Sequence, residues 1–175
     1  MKSLSRVQLL VKIARILCIV GFWFCAVGLL ACIVGFITMP LVQDFSIGEG
    51  KTVTDAIVEN GSSLGEVYGG LLIGLLSCGV GVFVSLYNSF FFKKELVLGT
   101  PFDHEIVRDM RKVALVNIIV SFALGLAAAI GVAIIQGIFG EKLTFKYELL
   151  STVSFGIFLL IISLFCEYGA DVKKA

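Results

Sequence analysis

The stretch CIVGFWFCAVGLLACIVG, Cys18–Gly35, carries no charge and places cysteine at Cys18, Cys25 and Cys32 and glycine at Gly21, Gly28 and Gly35. Both series step by seven residues. The apolar run around it reaches from Ile16 to Met39, past the ~20 residues a helix needs to cross a bilayer. Three more runs of the same kind follow, Tyr68–Phe92, Val113–Phe139 and Tyr147–Cys166. The sequence therefore predicts an all-α membrane protein. It reads as a single membrane domain over residues 1–175, a four-transmembrane-helix bundle with spans at about 16–39, 68–92, 113–139 and 147–166.

Composition agrees. Hydrophobic residues make up 58% of the chain and charged residues 15%, with a mean hydropathy of +1.03. A soluble domain keeps about a quarter of its residues charged. The net charge of +1 gives no basis for nucleic-acid binding.

The cations set an orientation. Lys2, Arg6, Lys12 and Arg15 precede the first span; Lys93, Lys94, Arg108, Arg111 and Lys112 separate the second from the third; Lys173 and Lys174 follow the fourth. Only Lys51, Lys142 and Lys146 lie in the other two loops. Positive residues accumulate on the cytoplasmic side. Both termini and the loop 93–112 are thus expected in the cytoplasm and the loop 40–67 outside, as in a multi-pass protein of the bacterial inner membrane. Leu29-Leu30-Ala31-Cys32 resembles a lipoprotein cleavage box, but the apolar run continues through Ile33, Val34, Phe36 and Ile37. A secretory segment would instead turn polar, so the first span is expected to stay as a helix.

Within the outer loop, GEGKT (Gly48–Thr52) ends like a phosphate-binding loop. That pattern needs a glycine five positions before Gly50, where the chain has Phe45. Thr52–Val58 is too short to assign. The cytoplasmic loop is richer. Thr100 is expected to cap a helix starting at Pro101, with Asp103 near its positive end. Phe102, Ile106, Met110 and Val113 then recur at helical steps, with Glu105, Arg108, Asp109 and Lys112 on the other side. This predicts a short cytoplasmic amphipathic helix before the third span. Its cations Arg108, Arg111 and Lys112 are candidates for contact with lipid headgroups or a partner protein.

LGTPFDHEIVRDMRKVALVNI (Leu98–Ile118) and ISLFCEYGADV (Ile162–Val172) resemble the signature segments of a bacterial four-helix membrane protein family catalogued as domain of unknown function 2975. The layout is similar over the whole chain, although the family's tail is more acidic. The resemblance implies the four-helix fold; the family has no established activity.

The cysteines are read as packing residues. Successive thiols of the first span lie about 10 Å apart along a helix, whereas metal ligands converge to ~2.3 Å from one ion. No Cys-x-x-Cys occurs, and no cysteine falls in an outer loop. Small residues let helices approach closely in lipid. The expected seam comprises Cys18, Gly21, Cys25, Gly28, Cys32 and Gly35, joined by Gly70, Gly74 and Cys78 of the second span. A four-step stripe, Ser121, Gly125, Ala129, Ala133 and Gly137, plays the same part in the third.

Asn88 and Asn117 lie five residues inside the two ends of the cytoplasmic loop, so they are a candidate interhelical polar pair. Asp103, His104 and Glu105 are neighbours whose side chains diverge around a helix, as on a solvated face. No convergent titratable set marks an enzyme, and no cofactor is implied. The expected function is that of a regulatory or accessory interaction protein, in contact with lipid and with a cytoplasmic or membrane protein partner or a second copy of itself. A small transporter or channel component is the alternative.

Overall fold

The computed structural model describes residues 2–42, 44–48, 51–59, 63–98, 103–140 and 150–174, and the side chains of these except at 2–6, 46–48, 150–152 and 173–174. Among these residues, five helices and a small hairpin follow in order: α1 (Lys2–Val42), β1 (Ser46–Gly48), β2 (Lys51–Thr52), α2 (Val53–Glu59), α3 (Leu64–Leu98), α4 (His104–Phe139) and α5 (Leu150–Lys174). Four helices, α1, α3, α4 and α5, are long and apolar enough to cross a membrane. They match the four apolar runs of the sequence. Each also continues into polar sequence: Lys2–Arg15 belongs to α1, residues 93–98 to α3, residues 104–112 to α4 and residues 167–174 to α5. Lysine, arginine, glutamate and leucine in those flanks are all good helix formers, so the boundary of the apolar run does not end the helix.

Exposure supports a lipid environment. On α1, Trp23 is 64% exposed, Phe24 76% and Leu30 63%. A helix apolar on every side is unsuited to water but suited to hydrocarbon.

Local chemistry explains the helix starts. Ser63 and Glu66 form a reciprocal capping box at α3: Ser63 N–H donates to Glu66 Oε2 at 3.2 Å, and Glu66 N–H donates to Ser63 Oγ at 3.1 Å. Thr52 and Asp55 repeat the device at α2, with Thr52 N–H and Oγ1 both donating to Asp55 Oδ2 at 2.8 Å. Those two bonds hold the Asp55 carboxyl below its ordinary pKa. The GEGKT segment thus supplies a strand and a helix cap: β2 pairs antiparallel with β1, and Lys51 Nζ meets Glu59 Oε1 at 2.5 Å. The start of α4 differs from expectation. Asp103 is its cap, accepting Glu105 N–H at 2.9 Å on Oδ1 and Val107 N–H at 3.0 Å on its carbonyl. Thr100, Pro101 and Phe102 lie outside the described residues.

The chain divides into two compact units. The first holds Met1–Phe24, Val80–Ala123 and Glu148–Ala175. Its core joins Phe91 of α3, Ile106, Val107, Met110, Val113 and Ala114 of α4, and Leu159 and Cys166 of α5. On α5 the buried Gly156, Leu159, Ser163, Cys166 and Ala170 recur at alternating three- and four-residue steps, which keeps them on one helix face. The second unit holds Cys25–Gly79 and Leu124–Tyr147. It contains the hairpin, α2 and an aromatic group in which Tyr68 stacks on Phe139, ring centroids 5.5 Å apart, and tilts against Phe36 at 6.0 Å.

Candidate functional site

In the second unit, α1 meets α3 through reciprocal sulfur-on-glycine contacts. A β-carbon at Gly28 would come within 2.8 Å of Cys78 Sγ, and one at Gly74 within 2.8 Å of Cys32 Sγ. Gly35 receives Leu71 Cδ2 at the same distance. One step of seven up α1, from Gly28 to Gly35, is matched by seven down α3, from Cys78 to Leu71. In the first unit Gly21 lies against Ser85 Oγ at 3.4 Å. Cys18 and Cys25 are half-buried, and all five cysteines are free thiols. Among the described residues no group of three metal-ligating side chains converges.

Other expected packing residues sit elsewhere. Gly70 is exposed, and nothing lies within 4 Å of where its β-carbon would be. On α4, Ser121 is buried and Gly125 half-buried, but Ala129, Ala133 and Gly137 face outward. A four-residue step advances about 40° beyond a full turn, so the stripe walks around the helix. Two close-packed glycines were not singled out from sequence. Gly131 takes the side chain of Leu72 in the second unit, and Gly156 faces Ile118 Cγ1 at 2.6 Å and the Ala114 carbonyl at 3.0 Å in the first.

The richest polar chemistry is in the first unit. Asn117 Nδ2 donates to Asn88 Oδ1 at 3.1 Å and to the Val113 carbonyl at 2.7 Å. The side chains are 1% and 5% exposed, respectively. Ser121 Oγ donates to the Asn117 carbonyl and Ser163 Oγ to the Leu160 carbonyl, both at 2.7 Å. Asn117 Oδ1 is buried and has no hydrogen-bond donor among the described residues.

Toward the polar helix ends, ion pairs tie α3, α4 and α5 together. Lys94 Nζ reaches Glu105 Oε1 at 2.5 Å and Asp109 Oδ2 at 2.6 Å. Arg111 pairs with Glu167, His104 Nε2 lies 3.6 Å from Asp171 Oδ1, and Lys112 Nζ lies 3.6 Å from Asp109 Oδ1. Of the three cations expected to reach outward, Arg111 is therefore engaged inside the protein. Lys112 is partly engaged. Arg108 is exposed and carries no salt bridge among the described residues.

Ile106 and Met110 are 1% and 4% exposed and belong to the protein core. The segment expected as an amphipathic helix leading into the third span forms the first part of α4, which is unbroken to Phe139, and its Ile106 and Met110 pack within the protein. Glu95 was also not anticipated. It is 7% exposed on α3, with no hydrogen bond or salt bridge among the described residues. Its spacing from Asn88 and Phe91 places it on their face, a signal present in the sequence.

No family model, curated protein or solved structure matches this chain.

Proposed function

We propose that this chain is a regulatory or accessory interaction protein of the bacterial inner membrane, a four-helix bundle with both termini in the cytoplasm. Membership of the family resembled by Leu98–Ile118 is part of the same reading. The observation that carries it is the ion-paired end of the first unit. There, charged residues are used to hold helices α3, α4 and α5 together while Arg108 projects from an ordered support. A cation presented from a rigid element suits recognition of an acidic partner, because little ordering entropy is lost on docking.

The test is copurification from membranes with the native chain, Arg108→Lys and Arg108→Glu. A docking partner is retained by native and lysine forms and lost with glutamate, while membrane level and orientation stay unchanged. An identical partner profile in all three removes Arg108 from the interaction.

The alternative, a transporter or channel component, draws support from the buried polar residues Asn88, Asn117 and Ser121, with the Asn117 oxygen lacking a donor among the described residues. Polar residues inside membranes often line solute paths. Solute flux in proteoliposomes that is lost in Asn117→Leu would favour this second reading over the first.

A further inference from the structure

We propose that the first unit carries a binding site for a single anionic phospholipid, built by Lys94 and Lys112 over an aromatic strip of α3. This goes beyond the protein-docking reading and rests only on the membrane placement of the helices. Four residues define it best. Lys94, Asp109, Lys112 and Phe90 line a half-open cavity of about 250 Å³, which Tyr87, Phe91 and Val113 complete.

The polar side of this cavity is preorganised. The two oxygens of Asp109 face Lys94 at 2.6 Å and Lys112 at 3.6 Å, so one carboxylate draws two ammonium groups together. Lys94 also holds Glu105 Oε1 at 2.5 Å, so the two ammonium groups are fixed in place by two carboxylates. Both lysine side chains remain accessible, 41% for Lys94 and 59% for Lys112, and an ammonium has three donors. Lys94 can therefore take one phosphate oxygen while keeping Asp109 and Glu105, and Lys112 can take one while keeping Asp109.

The apolar side gives the ligand a direction. Phe90 is 67% exposed and Phe83 52% exposed, and the Tyr87 ring lies parallel to Phe83 with centroids 6.1 Å apart. Phe83, Tyr87, Phe90 and Lys94 follow one another at three- and four-residue steps, a single strip along α3. Lys94 lies just beyond the end of the apolar run Tyr68–Phe92, and Lys112 just before the run that starts at Val113. Phosphate-binding groups thus sit at the polar boundary and an exposed aromatic strip runs from them into the apolar zone. A phospholipid presents phosphate and hydrocarbon in that order. A soluble phosphate would use the lysines and leave the strip bare, and an acidic peptide would have no reason to follow it.

The experiment measures retention of phosphatidylglycerol, against phosphatidylcholine, by native mass spectrometry of the full chain released from detergent. The native chain should hold one phosphatidylglycerol. Lys112→Glu should weaken it about thirtyfold, since a basic residue near a membrane surface contributes about 1 kcal/mol, reversal changes two charges, and each ~1.4 kcal/mol is a factor of ten. Phe90→Ser should also weaken it without altering charge, and Lys93→Glu, the same reversal on an exposed residue outside the cavity, should leave it unchanged. Circular dichroism and size exclusion confirm that each variant is folded; should Lys112→Glu fail there, Lys112→Gln replaces it. Equal losses in Lys93→Glu and Lys112→Glu would mean diffuse attraction and overturn the site. So would no loss in either. Displacement of the lipid by inorganic phosphate, or a loss confined to Lys112→Glu with Phe90→Ser unaffected, would assign the lysines to a soluble phosphate and overturn the lipid.

Discussion

A methyl group added at Gly28 meets Cys78 Sγ at 2.8 Å but Cys78 Cβ only at 4.0 Å, so the conflict resides in the sulfur atom. The distances decide the sign of a substitution. Alanine in place of glycine favours a helix by about 1 kcal/mol, whereas overfilling a packed contact costs about 1–3 kcal/mol. Gly28→Ala is expected to destabilise the native chain by about 1 kcal/mol and to be neutral or stabilising when Cys78 is already alanine. Reversible unfolding of the four chains of this double-mutant cycle in mixed micelles measures the coupling. The same cost in both backgrounds would mean that the sulfur is not what limits Gly28. Gly74 with Cys32 is a second instance of the pair. The thiol spacing was legible in the sequence, and of that series Cys32 meets a glycine of α3. Which α3 residue each glycine meets was not legible, because a repeat on one helix says nothing of the register of its neighbour.

On α4, residues that recur every four positions look alike in the sequence and differ in the structure. Ser121 is buried and Gly137 is open, with nothing within 4 Å of its β-carbon position. Seven-residue steps drift only about 20°, which is why the α1 series stays on one face where the α4 series does not. Gly156 of α5 is the opposite of Gly137. The Ala114 carbonyl at 3.0 Å is backbone and cannot rotate away as a side chain can. Gly156→Ala is expected to destabilise by about 2 kcal/mol or more, and Gly137→Ala to be neutral or stabilise by up to about 1 kcal/mol. Thermal or denaturant unfolding of the two variants side by side is the check, and equal effects would contradict the contact geometry. The helix starts were half legible: Ser63 with Glu66 is a capping box in plain sequence, whereas at α4 both Thr100 and Asp103 are competent caps. Asp103 prevails in the structure because its carboxylate reaches Glu105 N–H and its carbonyl reaches Val107 N–H.

Across the whole chain, the distribution of eleven cations against three is a statement about insertion, and it is testable without any partner or ligand. With the native cysteines replaced by alanine, a cysteine at Asp55 in α2 is expected to react with an impermeant reagent added outside intact cells, and one at Arg108 only after lysis. Labelling of the Arg108 position from outside would invert the topology and remove the cytoplasmic docking reading. The sequence by itself determined that four helices are long and apolar enough to cross a membrane and roughly where each lies. It does so because a segment in hydrocarbon must satisfy its backbone internally, a demand on each run alone. Tertiary structure alone decided which faces are buried, that Ile106 and Met110 join a protein core, that Arg111 pairs with Glu167, and that Lys94 and Lys112 share Asp109. In lipid an apolar side chain is equally at home against the bilayer or against a neighbouring helix. Hydrophobicity therefore no longer marks the inside, and the choice falls to close fit and ion pairing, which are properties of two helices at once.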